Sequence, residues 1–349
     1  MSIRETPDPD DPIEYYVEHL KSTGKAKSTI KKYQHAFGYL REYLESVGLQ
    51  PGEATDRHCI ELISQLQTQV SAATANHCAH DINRFYQFFS NRGTFETNPM
   101  AVALDDVELS KDTGSHRREI SVDEMREFIR QLNDPQTFSI VVLFAKTGIR
   151  RGELVNLDHQ DLHIDHPGAK RVLPTPRSEI SDRPDSLFIS SDIGVGDVVR
   201  GEVRETGNKR KCDTIVPLDG ELKQTLLMLI AVSTPSPNES EPLFRIYSGS
   251  RNSPAPGERI TGSSINSRVQ KVAEPYGWHE TGAGVQNNVT PHYFRHWFTT
   301  MAERHGLERS LIKYIRGDVG NDIVDTYRHF WGDEVRDGYS KNIYKLFPS

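Results

Sequence analysis

The chain has 349 residues, more than one compact core usually holds, so two domains are expected. Hydrophobic residues at 36% and aromatics at 9% exclude a chain disordered throughout. Forty-nine acids against 42 bases give a net charge of −7, a balance that argues at first against nucleic acid as a partner.

The longest apolar runs, Phe138 to Ala145 and Leu226 to Val232, fall far short of the roughly 18 residues that cross a bilayer. The opening residues MSIRETPDPDDP carry no apolar secretion stretch. Cys59, Cys78 and Cys212 are odd in number and form no CxxC pair, which speaks against a disulfide framework and for a reducing compartment. A soluble cytoplasmic protein without a membrane partner is expected. Its 15 lysines against 27 arginines, with the acid excess, would suit a salt-rich cytoplasm.

In chain order, residues 12 to 108 read as helical. Ile13, Tyr16, Val17 and Leu20 share one face, and Tyr33, Phe37, Leu40, Leu44 and Val47 continue the pattern. Between them lie Lys21, Lys25, Lys27, Lys31 and Lys32 with no acid, a local patch able to hold phosphate on an acidic molecule or simply a solvated helix face. Segments Cys59 to Leu66 and Asn76 to Phe89 complete four or five helices. The polar stretch 109–119 reads as a linker. A capping box, Ser121 with Glu124, then opens a helix with Val122, Met125, Phe128, Ile129 and Leu132 on its apolar face. A second helix, Phe138 to Lys146, stops at Thr147-Gly148. Segments 197–204 and 214–218 flank a Gly-Asn turn beside Lys209, Arg210 and Lys211, a pattern that predicts a hairpin with a basic tip. Helices resume at Leu222 to Val232, Ser264 to Ala273 and Pro291 to Arg304.

Three stretches could carry chemistry. In HYFRH, Thr290 and Pro291 mark a helix start that puts His292 and Arg295 on one face, suited to a phosphodiester or to an ordinary helix surface. In TGIRRGEL, a tight turn puts Arg150 at the mouth of a helix, where Glu153 could hold its geometry; capping alone would also explain it. In RGDVGNDIVDTYRH, Tyr327 could be a reactive phenol or one of 13 packing tyrosines. His159, His163 and His166 have the spacing of a metal cluster but sit in a connection that needs none. Gly194, Gly196 and Gly201 lack the setting of a dinucleotide loop.

The order of these stretches matches one family. From about residue 12 to the end, the chain resembles the tyrosine recombinases, or phage integrases: TGxRxxE at Thr147 to Glu153, a hairpin lysine, HxxRH at His292 to His296, and a tyrosine some 30 residues later. The resemblance implies a mainly α fold with a small β-sheet (α+β). It divides into an N-terminal helical core-binding (SAM-like) domain over 1–108 and a catalytic domain over 120–349, closing as a clamp on double-stranded DNA. It implies site-specific recombination without metal, ATP or other cofactor. Arg150 and Arg295 would grip the scissile phosphate, Tyr327 would attack it to form a 3′-phosphotyrosine, His292 would assist, and Lys209 or Lys211 would protonate the leaving 5′ oxygen. A homotetramer on paired sites is implied. Bases would be read by the Lys21 to Lys32 helix and the helix from Ser264 carrying Arg268, with Arg210 and Lys211 also on DNA. The family usually has His or Trp nine residues before its nucleophile. Asp318 stands there, and would orient Arg150 or Arg295, or yield its place to a neighbour such as His329. An inert DNA binder of the same fold, or a tyrosine-dependent topoisomerase or resolvase, is the alternative.

Overall fold

The computed structural model describes residues 11–108, 117–247, 255–282, 284, 286–318 and 334–347. The chain divides into two compact units, Met1–Ser115 and His116–Ser349, each with a hydrophobic core of its own.

In the first unit, α1 (Pro12–Ser22) starts where Asp11 accepts from the Glu14 amide at 3.0 Å. It ends at a turn through Gly24, whose φ of +72° suits glycine, and α2 (Lys27–Val47) begins three residues later. The lysine stretch is therefore not one helix. Lys21 closes α1, Lys25 lies in the turn, and Lys27, Lys31 and Lys32 open α2. Helices α3 (Asp56–Gln69), α4 (Ala72–Ser90) and α5 (Pro99–Asp106) complete a bundle around Val17, Phe37, Leu40, Ile63, Phe85 and Phe89. Each such side chain removed from water contributes about 1.5–3 kcal/mol.

The second unit is built around α7 (Pro135–Thr147). This helix has no polar face, and all of it from Gln136 onward except Phe138 is buried. Around it pack α6 (Val122–Arg130), α10 (Gly220–Val232), α11 (Gly262–Ala273) and α12 (Pro291–Arg304). The Ser121–Glu124 capping box starts α6. Short helices α8 (Arg151–Val155), α9 (Ala169–Val172), α13 (Arg309–Arg316) and α14 (Arg336–Asn342) fill the connections. Residues 109–116 of the expected linker lie outside the described residues. Its end is fixed to this unit: Arg118 donates to the carbonyls of Gly277 at 2.8 Å and Asn287 at 3.2 Å.

The expected hairpin does not form. Strand β1 (Leu162–His163) pairs with β2 (Ser186–Ile189), and β2 pairs antiparallel with β5 (Thr214–Pro217) in the register Leu187 to Val216. Segment 197–204 instead folds on itself as β3 (Val198–Val199) and β4 (Glu202–Val203). Arg200 and Gly201, at φ of +52° and +76°, make the tight primed turn such ribbons favour. The basic residues 209–211 lead from this ribbon into β5.

The C-terminal segment docks on the same core. Lys146, fully buried at the end of α7, donates to Asp219 at 2.8 Å, to Glu221 at 2.5 Å and to the Tyr344 carbonyl at 2.6 Å. Glu221 in turn accepts from the Leu346 and Phe347 amides. A buried lysine is tolerable only with such full pairing. Among the described residues, no helix is long and apolar enough to cross a membrane.

Candidate active site

The turn after α7 is dictated by Gly148, at φ +59°, where an added Cβ would lie 2.6 Å from Phe298. It aims Arg150 at the N-terminus of α8. There the Glu153 carboxylate accepts from both the Arg150 amide and its Nη1, each at 2.9 Å. Glu153 is completely buried, and its other partner is Arg210 at 3.1 Å. Burial alone would raise its pKa, but Arg210 and Arg150 hold it below the ordinary carboxylate value, so it stays ionised.

From the opposite side comes Arg295 on α12. Thr290 caps this helix by accepting from the Tyr293 amide at 3.3 Å, and Pro291 is its first residue. Arg295 is 3% exposed and donates from Nη1 to the Gly148 carbonyl at 2.7 Å. Burial first, then the nearby Arg150 and Arg316, bring its guanidinium down to about 9, still charged at neutral pH.

Both arginines meet at one atom. Arg150 Nη2 donates to Asp318 Oδ1 at 2.7 Å and Arg295 Nη2 to the same oxygen at 2.6 Å. Arg316 holds the second oxygen, Oδ2, at 3.0 Å. Burial would raise Asp318, but Arg295, Arg316 and Arg150 keep it below the ordinary carboxylate value. Asp318 follows Gly317, whose φ of +67° ends α13 and where an added Cβ would run into the Arg210 side chain. The carbonyls ending α13 accept from arginines too: Ile315 from Arg210 at 3.0 Å and Arg316 from Arg295 at 3.0 Å.

His292 lies exposed on α12, its Nε2 3.0 Å from the Nε2 of His296. Burial, followed by Arg117, lowers both imidazoles, His296 to about 4. At neutral pH the pair is uncharged, so it can take up a proton. Lys209 and Lys211 are both exposed, and the Lys211 amide donates to the Gly317 carbonyl at 3.1 Å, tying the basic segment to the turn that carries Asp318. On the other side, Asn156 donates to the Thr206 carbonyl and Asn208 Oδ1, each at 2.8 Å. Two or more guanidiniums converging on one anion position, beside neutral imidazoles and flexible ammonium groups, are equipped to bind a phosphodiester and to move protons at its oxygens.

No family model matches the chain. It is 22% identical over 324 residues to the tyrosine recombinase XerC of Lactobacillus delbrueckii subsp. bulgaricus, covering 90% of this chain and 93% of that relative. It is similar to the solved Tn1549 transposon integrase in complex with transposon right end DNA, at 18% identity and a TM-score of 0.61, with 91% of this chain and 94% of that one covered. It is also similar to a lambda integrase tetramer bound to a Holliday junction, at 15% identity and a TM-score of 0.61, with 88% and 76% covered. These similarities give the chain the fold of the tyrosine recombinases and integrases it resembles.

One expectation for the DNA-facing residues of this recombinase fold is corrected. Arg210 is not a DNA contact: its side chain is wholly buried, held by Glu153, Thr214 and the Ile315 carbonyl, and it braces the site from behind. Arg268 is partly exposed and pairs with Asp134 at 2.7 Å. Of the N-terminal lysines, Lys21 pairs with Glu18 at 2.5 Å and Lys32 with buried Asp81 at 2.8 Å, while Lys25, Lys27 and Lys31 are exposed. Tyr327 and His329 lie outside the described residues. Arg316 went unnoticed in the sequence because α13 did, though its apolar residues Leu311, Ile312 and Ile315 carry a helical spacing. The three histidines of the supposed metal spacing have other partners: His159 lies against Arg245, His163 Nδ1 meets the Ile180 carbonyl at 2.7 Å, and His166 Nδ1 accepts from the Gly168 amide at 3.1 Å.

Proposed function

We propose that this protein is a site-specific DNA recombinase that cleaves and rejoins double-stranded DNA through a 3′-phosphotyrosine, without ATP. The observation that carries the reading is the convergence of Arg150 and Arg295, distant in sequence, on one carboxylate oxygen at 2.7 and 2.6 Å. On this reading the two guanidiniums bind the non-bridging oxygens of the scissile phosphate and offset the charge gained in the pentavalent transition state. The Tyr327 hydroxyl attacks phosphorus; a P–O bond to tyrosine forms as the bond to the 5′ oxygen breaks. The neutral His292–His296 pair receives the phenol proton, and Lys209 or Lys211 delivers one to the departing oxygen. Asp318 orients the fork. Lys25, Lys27, Lys31 and Lys211 contact the duplex.

Assembly into a homotetramer on paired sites is part of the proposal, supported by the resemblance to the lambda integrase tetramer. So is a cytoplasmic location, supported by three buried free cysteines. An N-terminal DNA-binding domain over 1–108 and a catalytic domain over 120–349 are part of it too, supported by the two separate cores and the resemblance to integrases.

One observation favours a second reading. The Asp318 carboxylate neutralises the fork, as an inert DNA-binding relative would tolerate. Nicked suicide duplexes drawn from a sequence library separate the two. The expected result is a denaturant-resistant protein–DNA band that vanishes with Tyr327→Phe. Binding without that band at any salt concentration overturns the catalytic reading.

A further inference from the structure

We propose that Asp318 is a built-in surrogate for the substrate phosphate, a carboxylate seated in the anion fork that a phosphodiester must displace before chemistry begins. The proposal rests on the recombinase reading and adds a gate to that same site.

Three features carry it. The first is coordination: Oδ1 accepts from Arg150 at 2.7 Å and Arg295 at 2.6 Å, and Oδ2 lies 3.0 Å from Arg316. One anion thus engages three guanidiniums, the donor set a phosphate would need. The second is access. Arg295 is 3% exposed, and its other bonds go to the carbonyls of Gly148 and Arg316. Its Nη2 toward Asp318 is the edge facing the fork, and that edge is capped. Arg150 is likewise committed, with Nη1 on buried Glu153 and Nη2 on Asp318. A phosphate cannot share the position, because two anions would stand within van der Waals contact.

The third feature is mobility. Glu153 is entirely buried and cannot leave, whereas the Asp318 side chain is 27% exposed at the rim of the site. Its backbone is anchored by its amide N–H, which donates to the Lys313 carbonyl at 2.9 Å, so a side-chain rotation suffices to vacate the fork. Arg316 is placed to follow it: Nη1 is fixed to Thr299 Oγ1 at 2.9 Å while Nη2 holds Oδ2. The two carboxylates keep the arginines aligned and charge-compensated when no DNA is bound. Asp318 is the exchangeable one.

The test uses the full-length protein and inorganic phosphate, titrated calorimetrically at constant ionic strength. Asp318→Asn and Asp318→Ala should bind phosphate at least about tenfold more tightly than the wild type, and adding Arg150→Ala should abolish the gain. Equal affinity in all three proteins overturns the proposal. Should neither variant melt cooperatively, wild-type crystals soaked in sulfate decide. An anion between Arg150 and Arg295 with the carboxylate turned out supports the gate; no anion in the fork, or one beside an unmoved Asp318, overturns it. The suicide-duplex assay keeps the two readings apart. Tighter phosphate binding without any covalent adduct leaves the gate standing and removes the recombinase reading. A covalent adduct with unchanged phosphate affinity does the reverse.

Discussion

At the scale of single residues, the site depends on a few groups with fixed partners. Arg150→Ala removes one of the two guanidiniums that meet at Asp318 Oδ1 while leaving buried Glu153 paired with Arg210. Suicide-substrate cleavage should fall by about 10²–10³-fold with little change in melting temperature. His159 offers a pH test away from the site. Burial and then Arg245 lower it to about 4, so the folded state holds it neutral where the unfolded chain, with pKa near 6.5, takes a proton. In the equation linking stability to proton uptake, the unfolded state binds more protons between those values, so stability falls as pH drops from about 6.5 toward 4. Asp161, raised to about 7 by burial, works the opposite way over the same window. The prediction is therefore a difference: relative to wild type, His159→Gln should lose less stability between pH 7 and 4.5, by on the order of 3 kcal/mol in urea titrations. Parallel stability curves for the two proteins would refute it.

At the scale of elements, the end of α13 shows how a turn sets chemistry. Gly317 occupies φ +67° with Arg210 atoms where a Cβ would lie. Gly317→Ala must strain the backbone and push Arg210, which braces Glu153. Stability should drop by about 1–3 kcal/mol, and cleavage should fall with it, read by denaturant titration and adduct yield. The Thr290-Pro291 start of α12 and the Ser121–Glu124 box of α6 were legible because a cap is made by residues three apart. The sheet was not. Strand β5 pairs with Ser186–Ile189, a segment of only four residues, and its true partner is set by burial of both, not by the turn signal nearby. That Gly-Asn signal instead marks the loop clipped to Asn156.

At the scale of the whole molecule, the two units have separate cores, and no core residue of one belongs to the other. Fragments 1–115 and 116–349 should each fold when expressed alone, giving cooperative melts and dispersed amide spectra. A fragment that melts without cooperativity would contradict this. The net charge of −7 hides exposed Lys25, Lys27 and Lys31 on the first unit. If these meet phosphates, replacing all three by Ala should lower the slope of log affinity against log salt by up to about 3. An unchanged slope would remove them from the interface.

Read alone, the sequence determined the helical character, the caps, and the two boxes holding Arg150 and Arg295, since each is written in residues a turn or less apart. Tertiary structure alone decided which basic side chains are exposed. Arg210 and Lys211 are neighbours in the chain, yet one is sealed behind Glu153 and the other is exposed. Only folding could put Asp318 between two distant guanidiniums, because ion pairing in a partly buried site depends on which remote segments converge there, and no local pattern encodes that meeting.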